Sequence, residues 1–111
     1  MSRAQRDKGA RGEREVIQLL KDHGWPNARR TSDGRAQSSR GDITAGPSCA
    51  HIEVKYVERL SVPQAVRQAQ ADAHPHDIPI VAHRSSRQQW LATLPLEDLL
   101  PLLALREGGL R

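Results

Sequence analysis

The sequence is poor in aromatic residues and in cysteine, and each shortage excludes a class of protein. Its 111 residues include two Trp, one Tyr and no Phe. Proteins that bind single strands by base stacking need a platform of exposed aromatic side chains, which three scattered rings do not supply. The single cysteine, Cys49, excludes an internal disulfide framework and a zinc site built from cysteines.

Long hydrophobic runs are also missing. No apolar stretch approaches the roughly 20 residues that a membrane span needs, and no apolar segment follows the basic N-terminus, so we expect neither a membrane helix nor a signal peptide. Hydrophobic residues make up 37% of the chain and charged residues 27%, which still allows a modest core. The composition predicts a single soluble, cytoplasmic domain over residues 1–111.

Positive charge is concentrated at one end of the chain. There are 17 Lys and Arg against 13 Asp and Glu, and 14 of the basic residues are arginine. Residues 1–40 hold ten basic and five acidic side chains. Arginine matches phosphate oxygens with a flat fork of donors, so this bias favours a polyanionic partner. A GC-rich coding sequence explains the same bias equally well.

The pattern of apolar and turn-forming residues predicts an α/β domain around one mixed sheet. The predicted strands lie near residues 27–32, 42–45, 50–57, 80–82 and 89–94. The predicted helices are 10–23, a segment that follows Ser61, and a leucine-rich segment that Pro101 interrupts. Residues 1–9 are interpreted as a basic tail, and Ser61 with Gln64 as a capping box. The strand–helix–strand order around the second helix implies parallel pairing.

Acidic residues near the middle of the chain predict a metal site. On a strand, Glu53 and Lys55 share one face, and the alternate residues point into the core. If the chain forms a hairpin about residues 46–49, Asp42 lies directly opposite Glu53. Like charges opposed on a sheet are destabilising unless a cation lies between them. Hard oxygen ligands suit Mg²⁺ or Mn²⁺.

Glu13 is a third candidate, because it precedes Val16, Ile17 and Leu20 at helical spacing and so lies on the buried face of the first helix. Glu15 falls off this stripe and is interpreted as surface charge. Simpler interpretations remain open at this stage. Glu53 and Lys55 can pair as surface ions, and Glu13 can be favourable charge in a first helical turn.

Taken together, Glu13, Gly41-Asp42, Glu53-Val54-Lys55 and Gln68 resemble the PD-(D/E)XK nuclease superfamily. Within it, the chain is most similar to the small archaeal-type Holliday junction resolvases and their phage relatives. The supporting segments are Gly9, Gly12, residues 30–34 and residues 80–84. The resemblance covers about residues 8–94 and departs from the motif at Gly41, where the family has Pro. It implies a restriction-endonuclease-like αβββαβ core with a central mixed sheet flanked by helices.

The resemblance also implies roles for the residues. The implied metal ligands are Asp42, Glu53, the Val54 carbonyl and Glu13. The metal, Mg²⁺ or Mn²⁺, supplies hydroxide near neutral pH and neutralises charge that grows on the phosphate. Lys55 would orient the water or contact the phosphate. Gln68 would hydrogen-bond Lys55 or the nucleophile, and a solvated helix glutamine is an equal alternative.

The basic residues and the leucines predict partners. The expected DNA-binding residues are Lys8, Arg11, Arg14, Arg29, Arg30, Ser32, Arg35 and Arg40. A basic tail without a ligand is the alternative for those nearest the N-terminus. The leucines of the last segment are Leu94, Leu96, Leu99, Leu100, Leu102, Leu103 and Leu105. They exceed what one helix face can bury, and resolvases of the family are dimers, so we expect a homodimer.

The sequence therefore predicts a Mg²⁺-dependent DNA endonuclease that resolves Holliday junctions in a prokaryote or a phage-infected host. One alternative is a nuclease of the same superfamily that acts on flaps, nicks or duplex DNA. Another is a non-catalytic DNA-binding or assembly protein. The presence of Asp42, Glu53 and Lys55 together favours a nuclease over this last alternative. His51, His74, His76 and His83 show no tight metal-ligand spacing.

Overall fold

The computed structural model describes residues 2–33 and 41–108. In chain order the elements are α1 Arg3–Asp22, β1 Arg29–Arg30, a 3₁₀ turn Thr31–Asp33, β2 Ile43–Thr44, β3 Ala50–Tyr56, α2 Val62–Asp72, β4 Ile78–Arg84, β5 Leu91–Thr93 and α3 Leu96–Arg106. The predicted order of helices and strands is confirmed, although β1 and β2 are shorter than expected and β4 is longer. Across the described ranges, no helix has both the length and the apolar character needed to cross a bilayer.

The first helix begins at Arg3, so the predicted tail at 1–9 is wrong for residues 3–9. A capping box starts the helix. Gln5 donates its backbone N–H to Ser2 Oγ at 3.1 Å, and the Ser2 backbone N–H donates to Gln5 Oε1 at 3.0 Å. Further along, Gly12 lets α1 approach β3 closely, because a Cβ there would lie 2.9 Å from Tyr56 Cβ. The helix therefore packs closely on the core face of β3, the strand that also carries Glu53 and Lys55.

A mixed three-stranded sheet forms the centre of the fold. Its strand order is β3-β4-β5, with β3 parallel to β4 and β4 antiparallel to β5. Glu53 lies opposite Val81 in the parallel pair. Since α2 connects the two parallel strands, the predicted crossover connection is confirmed. β3 is left as an edge strand of this sheet.

Helices cover both faces of the sheet. On one face Ile52 and Val54 form a buried cluster with Val16 and Ile17 of α1. On the other face the small residues Ala65 and Ala69 of α2 pack against Val81. The alternation along β3 confirms the predicted division of its residues between a core face and a polar face. The expected α/β architecture, a mixed sheet flanked by helices, is also confirmed.

The second helix begins after Ser61, as expected, but without the predicted capping box. The Ser61 side chain makes no capping hydrogen bond. Pro63, in the first turn, has no N–H that needs an acceptor, so this helix start has one fewer unsatisfied donor. The helix is thus begun by the proline rather than by a Ser–Gln pair.

The predicted hairpin between residues 42–45 and 50–57 is wrong. β2 pairs with β1, with Arg30 opposite Ile43. Within the described residues, β3 meets the segment before β2 through a parallel bridge from Gly41 to Ile52. Gly41 has φ +76°, and a Cβ there would lie 2.6 Å from the Ile52 carbonyl oxygen. Only glycine fits this turn, because proline holds φ near −65°.

The C-terminal helix differs from the prediction in two ways. α3 continues through Pro101, so the predicted interruption is wrong. The missing Pro101 N–H deprives only the exposed Glu97 carbonyl of a partner, and water can replace it. No residue of α3 is buried, so the helix does not cover the sheet with one face as expected. Its most exposed leucines are Leu96, Leu100, Leu103 and Leu105.

Candidate active site

Asp42 lies against the free edge of β3. Its backbone N–H donates to the Ile52 carbonyl at 2.9 Å, and the Val54 N–H donates to Asp42 Oδ2 at 2.7 Å. The N–H and C=O of one strand residue point to the same side of the strand, so the Val54 carbonyl also faces this edge rather than β4. Although the hairpin is absent, the aspartate still reaches the strand that carries Glu53 and Lys55.

Asp42 and Glu53 interact directly at this edge. Burial, together with the charge of the neighbouring Glu53, raises the pKa of Asp42 to about 6. The Val54 N–H and the charge of Lys55 act in the opposite direction. At neutral pH two partly buried negative charges therefore oppose each other. A cation between them would relieve this repulsion.

The donors at this edge match the chemistry of a small divalent cation. Two carboxylates and the Val54 carbonyl are hard oxygen ligands, and Mg²⁺ uses one or two protein carboxylates while it keeps several waters. Within residues 2–33 and 41–108, no three His, Cys, Asp or Glu side chains form a ready-made metal cage. The available set, Asp42, Glu53 and Val54, nevertheless fits Mg²⁺ or Mn²⁺.

Glu13 lies near this pair but has a partner of its own. Arg30 donates from Nε to Glu13 Oε1 at 2.7 Å, and both side chains are 18% exposed. Arg30 Nη1 also reaches Asp33 Oδ1 at 3.4 Å. Burial raises the pKa of Glu13, and the charge of Asp42 adds to this effect, although the hydrogen bond from Arg30 lowers it. The structure thus brings Glu13 within electrostatic range of Asp42, and its role as a ligand stays a prediction.

Two depressions that share Lys55 lie at this edge of the sheet, and Asp42 and Glu13 line the larger one. The larger is a cleft of about 570 Å³ between the N-terminal half of α1 and β3, and its polar lining includes Arg6, Glu13, Asp42 and Lys55. The smaller, of about 250 Å³, lies beside α2 and is lined by residues that include Lys55, Arg59, Gln64 and Gln68. Lys55 lines both depressions. The structure therefore brings Gln68, exposed on α2, to the same depression as Lys55.

The predicted DNA-binding residues fall into three groups. Those with acidic partners are Lys8 with Glu58, Arg11 with Glu15, and Arg30 with Glu13. Those exposed and without an ion pair to a described residue are Arg14, Arg29 and Ser32. Arg35 and Arg40 lie outside the described residues. Lys8 and Arg11 also lie over the Tyr56 ring, at 4.7 and 5.9 Å from its centre, so they belong to the packing of α1 on β3.

Sequence reasoning missed two residues of the site region, Arg59 and His51, and left the role of a third, Arg6, open. Arg6 and Arg59 line the two depressions, and neither forms an ion pair within the described ranges. Arg6 was expected either to contact phosphate or to lie in a basic tail, and its helical position follows from the capping box at Ser2. His51 is fully buried and contacts Glu53, with Nε2 2.8 Å from Oε1. The signal for it was the H-x-E spacing, which puts both side chains on one face of a strand.

The chain has a structural likeness to a known protein. No protein-family model and no curated protein sequence matches the chain. Among solved structures, the chain is similar to Hjc of Archaeoglobus fulgidus, a Holliday junction resolvase from an archaeal hyperthermophile. The two chains are 27% identical, with a TM-score of 0.48, over 78% of this chain and 75% of that chain.

Proposed function

We propose that this chain is a metal-dependent DNA endonuclease that resolves Holliday junctions in the cytoplasm of a prokaryote or phage-infected cell. The observation that supports this most is the contact between Asp42 and Glu53 beside Lys55. Burial and mutual repulsion raise the pKa of Asp42, which disfavours the metal-free charged pair. Such a pair lowers stability without a cation, and a bound cation would relieve this cost.

The residues of the cleft have distinct roles in this proposal. Asp42, Glu53 and the Val54 carbonyl would hold Mg²⁺ or Mn²⁺. When bound, the metal supplies hydroxide near neutral pH and neutralises charge on the phosphate. Lys55 has no hydrogen bond to a described residue, so its ammonium group is available to a phosphate oxygen or to the attacking water. Glu13 would complete the ligand set directly or through a bound water.

Substrate contacts would come from cations on both sides of Lys55. Arg6 on α1 and Arg59 before α2 line the two depressions without an acidic partner among the described residues. Arg14 on α1 and Arg29 on β1 are also exposed. Gln68 lines the smaller depression together with Lys55. Arginines of this kind bind the phosphate backbone and position the strand without reading its sequence. Because few aromatic side chains are present, backbone contacts carry the binding.

A homodimer through α3 would provide the second active site that paired incision of a four-way junction needs. Leu96, Leu100 and Leu103 repeat at helical spacing on one face, and each is about half exposed or more. Burying a fully exposed leucine contributes roughly 1.5–3 kcal/mol, so three of them on each side of a two-fold axis would contribute substantially to holding a dimer. In this arrangement the leucine stripes of the two subunits bury each other.

Cleavage assays with matched substrates test the proposed activity. Labelled four-way junction, flap, nicked duplex and linear duplex of the same sequence are incubated with Mg²⁺, with Mn²⁺ or with EDTA. We expect cleavage only with the metals, fastest on the junction, while DNA binding persists in EDTA. Faster cleavage of flaps or duplex would favour another nuclease of the superfamily. Tight binding without any cleavage would favour a non-catalytic DNA-binding protein.

Light scattering tests the dimer. The wild-type chain should have twice the mass of the 12.3 kDa monomer at micromolar concentration. Leu100→Glu should give a monomer, because it places a charge in the middle of the stripe. Leu105→Glu is the matched control, since Leu105 is 62% exposed but lies on the opposite face of α3. A monomeric wild type, with and without junction DNA, would contradict the proposal.

A further inference from the structure

His51 is buried beside the proposed metal site without an evident structural reason. Its side chain is 1% exposed, and one ring nitrogen, Nε2, lies 2.8 Å from Glu53 Oε1. The other, Nδ1, is buried and has no hydrogen-bond partner within the described residues. A buried imidazole with a single partner is costly, and an apolar side chain would fill the same space without that cost. The contact with Glu53 is what a histidine adds here.

The direction of the hydrogen bond follows from the partners of the ring. A carboxylate oxygen accepts, so Nε2 carries the proton and donates it to Glu53 Oε1. No described acceptor reaches Nδ1, so Glu53 Oε1 is the acceptor that the ring contacts. The imidazole therefore offers Glu53 one directed donor. The other oxygen of Glu53 is then left for a cation.

The backbone around the ring restricts its movement. Gly41 packs against it, because a Cβ at that position would lie 3.2 Å from His51 Nε2 and 2.6 Å from the Ile52 carbonyl. The glycine that replaces the proline of the family motif thus makes room for the segment that carries Asp42 to pass directly over the imidazole. Gly41 thus packs against His51, and His51 in turn contacts the carboxylate of Glu53.

We propose that His51 is a positioning residue that makes Glu53 a one-oxygen ligand and thereby selects Mg²⁺ and Mn²⁺ over Ca²⁺. Ca²⁺ takes six to eight oxygens and often binds both oxygens of a carboxylate, whereas Mg²⁺ needs octahedral geometry with single-oxygen contacts. For Glu53 to bind a cation with both oxygens, it must release His51 Nε2–H, which is then buried without an acceptor. The proposal rests on the metal site of the proposed function.

Competition for Mn²⁺ binding tests this selection without DNA or catalysis. Electron paramagnetic resonance follows free Mn²⁺ as Mg²⁺ or Ca²⁺ displaces it from the wild type and from His51→Leu. Partners of metal ligands typically change metal affinity 10–100-fold, so His51→Leu should weaken Mn²⁺ and Mg²⁺ binding by about that factor. Ca²⁺ binding should weaken much less, so that the preference for Mg²⁺ over Ca²⁺ falls about tenfold.

Two further variants separate positioning from packing. His51→Gln places an amide N–H near the position of Nε2 and should restore most of the preference for Mg²⁺. His83→Leu is the matched control, because His83 lies on the same face of the neighbouring strand and bonds Thr93 Oγ1 at 2.9 Å, away from Glu53. It should lower stability while it leaves the Mg²⁺-to-Ca²⁺ ratio unchanged.

Each result has a definite meaning. An unchanged ratio in a folded His51→Leu variant overturns the role of His51 and leaves the metal site intact. If His51→Leu does not fold, His51→Asn decides, because its shorter amide cannot reach Glu53 and should lower the ratio like leucine. A wild type that binds no Mn²⁺ overturns both the metal site and this inference. Selective Mn²⁺ binding without DNA cleavage counts against the proposed function alone.

Discussion

Glu15, on α1, and Asp42, just before β2, are carboxylates in opposite electrostatic states. Glu15 accepts hydrogen bonds from Arg84 Nη1 at 2.9 Å, Trp90 Nε1 at 3.1 Å and Arg11 Nε at 3.0 Å. Burial alone would raise the pKa of Glu15, but the bonds from Trp90 and Arg11 and the charge of Arg84 together lower it. For Asp42 burial acts the same way, and the neighbouring Glu53 reinforces it, so the pKa rises to about 6.

Burial acts in the same direction on both carboxylates, so their hydrogen-bond and charge partners determine whether the pKa falls or rises. The Glu15 cluster, defined as Glu15, Tyr56, Arg84 and Trp90, joins α1 to β3 and β4; the Arg84 guanidinium lies 4.5 Å from the Tyr56 ring centre. The interpretation of Glu15 as surface charge was therefore wrong. Glu13, two residues earlier, points into the cleft towards Arg30 instead. One helix thus contributes one glutamate to the scaffold and one to the site.

The largest difference between the two regions should appear in catalysis. Asp42→Asn removes half of the charged pair and should lower the cleavage rate at least about 100-fold, since a bound metal stabilises the transition state by several kcal/mol. Glu15→Gln should leave the cleavage rate per folded molecule nearly unchanged. Junction binding in EDTA and circular dichroism serve as controls for both variants. An active Asp42→Asn protein would remove the support for this site.

The pH dependence of stability should have opposite signs in the two regions. Asp42 has a folded-state pKa of about 6 against 3.8 when unfolded, so the folded state binds the extra proton between those values. The metal-free protein should therefore lose about 1–3 kcal/mol of unfolding free energy as the pH rises from about 4 to 6.5. Glu15 acts in reverse, because the hydrogen bonds from Trp90 and Arg11 and the charge of Arg84 outweigh its burial and lower its pKa, so its contribution is lost as the pH falls below 4.5.

Urea unfolding of the metal-free protein at a series of pH values measures this effect. Asp42→Asn should flatten the decline between pH 4 and 6.5 and should be more stable than the wild type at neutral pH. The acid side of the profile should keep its shape, because it depends on other carboxylates. Equal declines in wild type and variant would mean that Asp42 and Glu53 do not oppose each other in the folded protein.

Local patterns account for the parts of the site that the sequence predicts correctly. Strand alternation separates Glu53 and Lys55 from the core residues because it needs no knowledge of the rest of the fold. The position of Asp42 was predicted for the wrong reason. It depends on the positive φ of Gly41 and on hydrogen bonds to β3, and neither has a pattern that a hairpin rule can detect.

Contacts between distant elements could not be predicted from the sequence. Arg30 reaches Glu13 across 17 positions of sequence, and Arg84 reaches Glu15 across 69. Both arginines are ordinary basic residues until packing gives them partners. Arg30 was therefore predicted to bind DNA, and Arg84 was considered only as part of the segment 80–84. The start of α1 is different, since its S-x-x-Q signal at Ser2 was present in the sequence and was overlooked.

Removing Glu15 should have a structural effect of intermediate size. Glu15→Gln loses the charge that Arg84 and Arg11 need and leaves Trp90 Nε1 with a weaker acceptor, so the unfolding free energy should fall by about 1–2 kcal/mol. Denaturant unfolding at pH 7 measures it. Glu58→Gln is the control, because Glu58 is more exposed and should change stability less. A larger loss from Glu58 than from Glu15 would reverse the assignment of Glu15 to the scaffold.

The smallest expected effect concerns basic side chains that form no ion pair with a described acidic residue. Arg6 lines the cleft without an ion pair among the described residues, whereas Arg3, one turn earlier on α1, lies 4.0 Å from Asp7. If Arg6 contacts a phosphate, Arg6→Ala should reduce the slope of log affinity against log salt by about 0.9, and Arg3→Ala should reduce it much less. Fluorescence anisotropy with junction DNA in EDTA, at several salt concentrations, gives both slopes under conditions where nothing is cut. Equal slopes for Arg6→Ala and the wild type would place the DNA away from this cleft, even if Asp42 is required for cleavage.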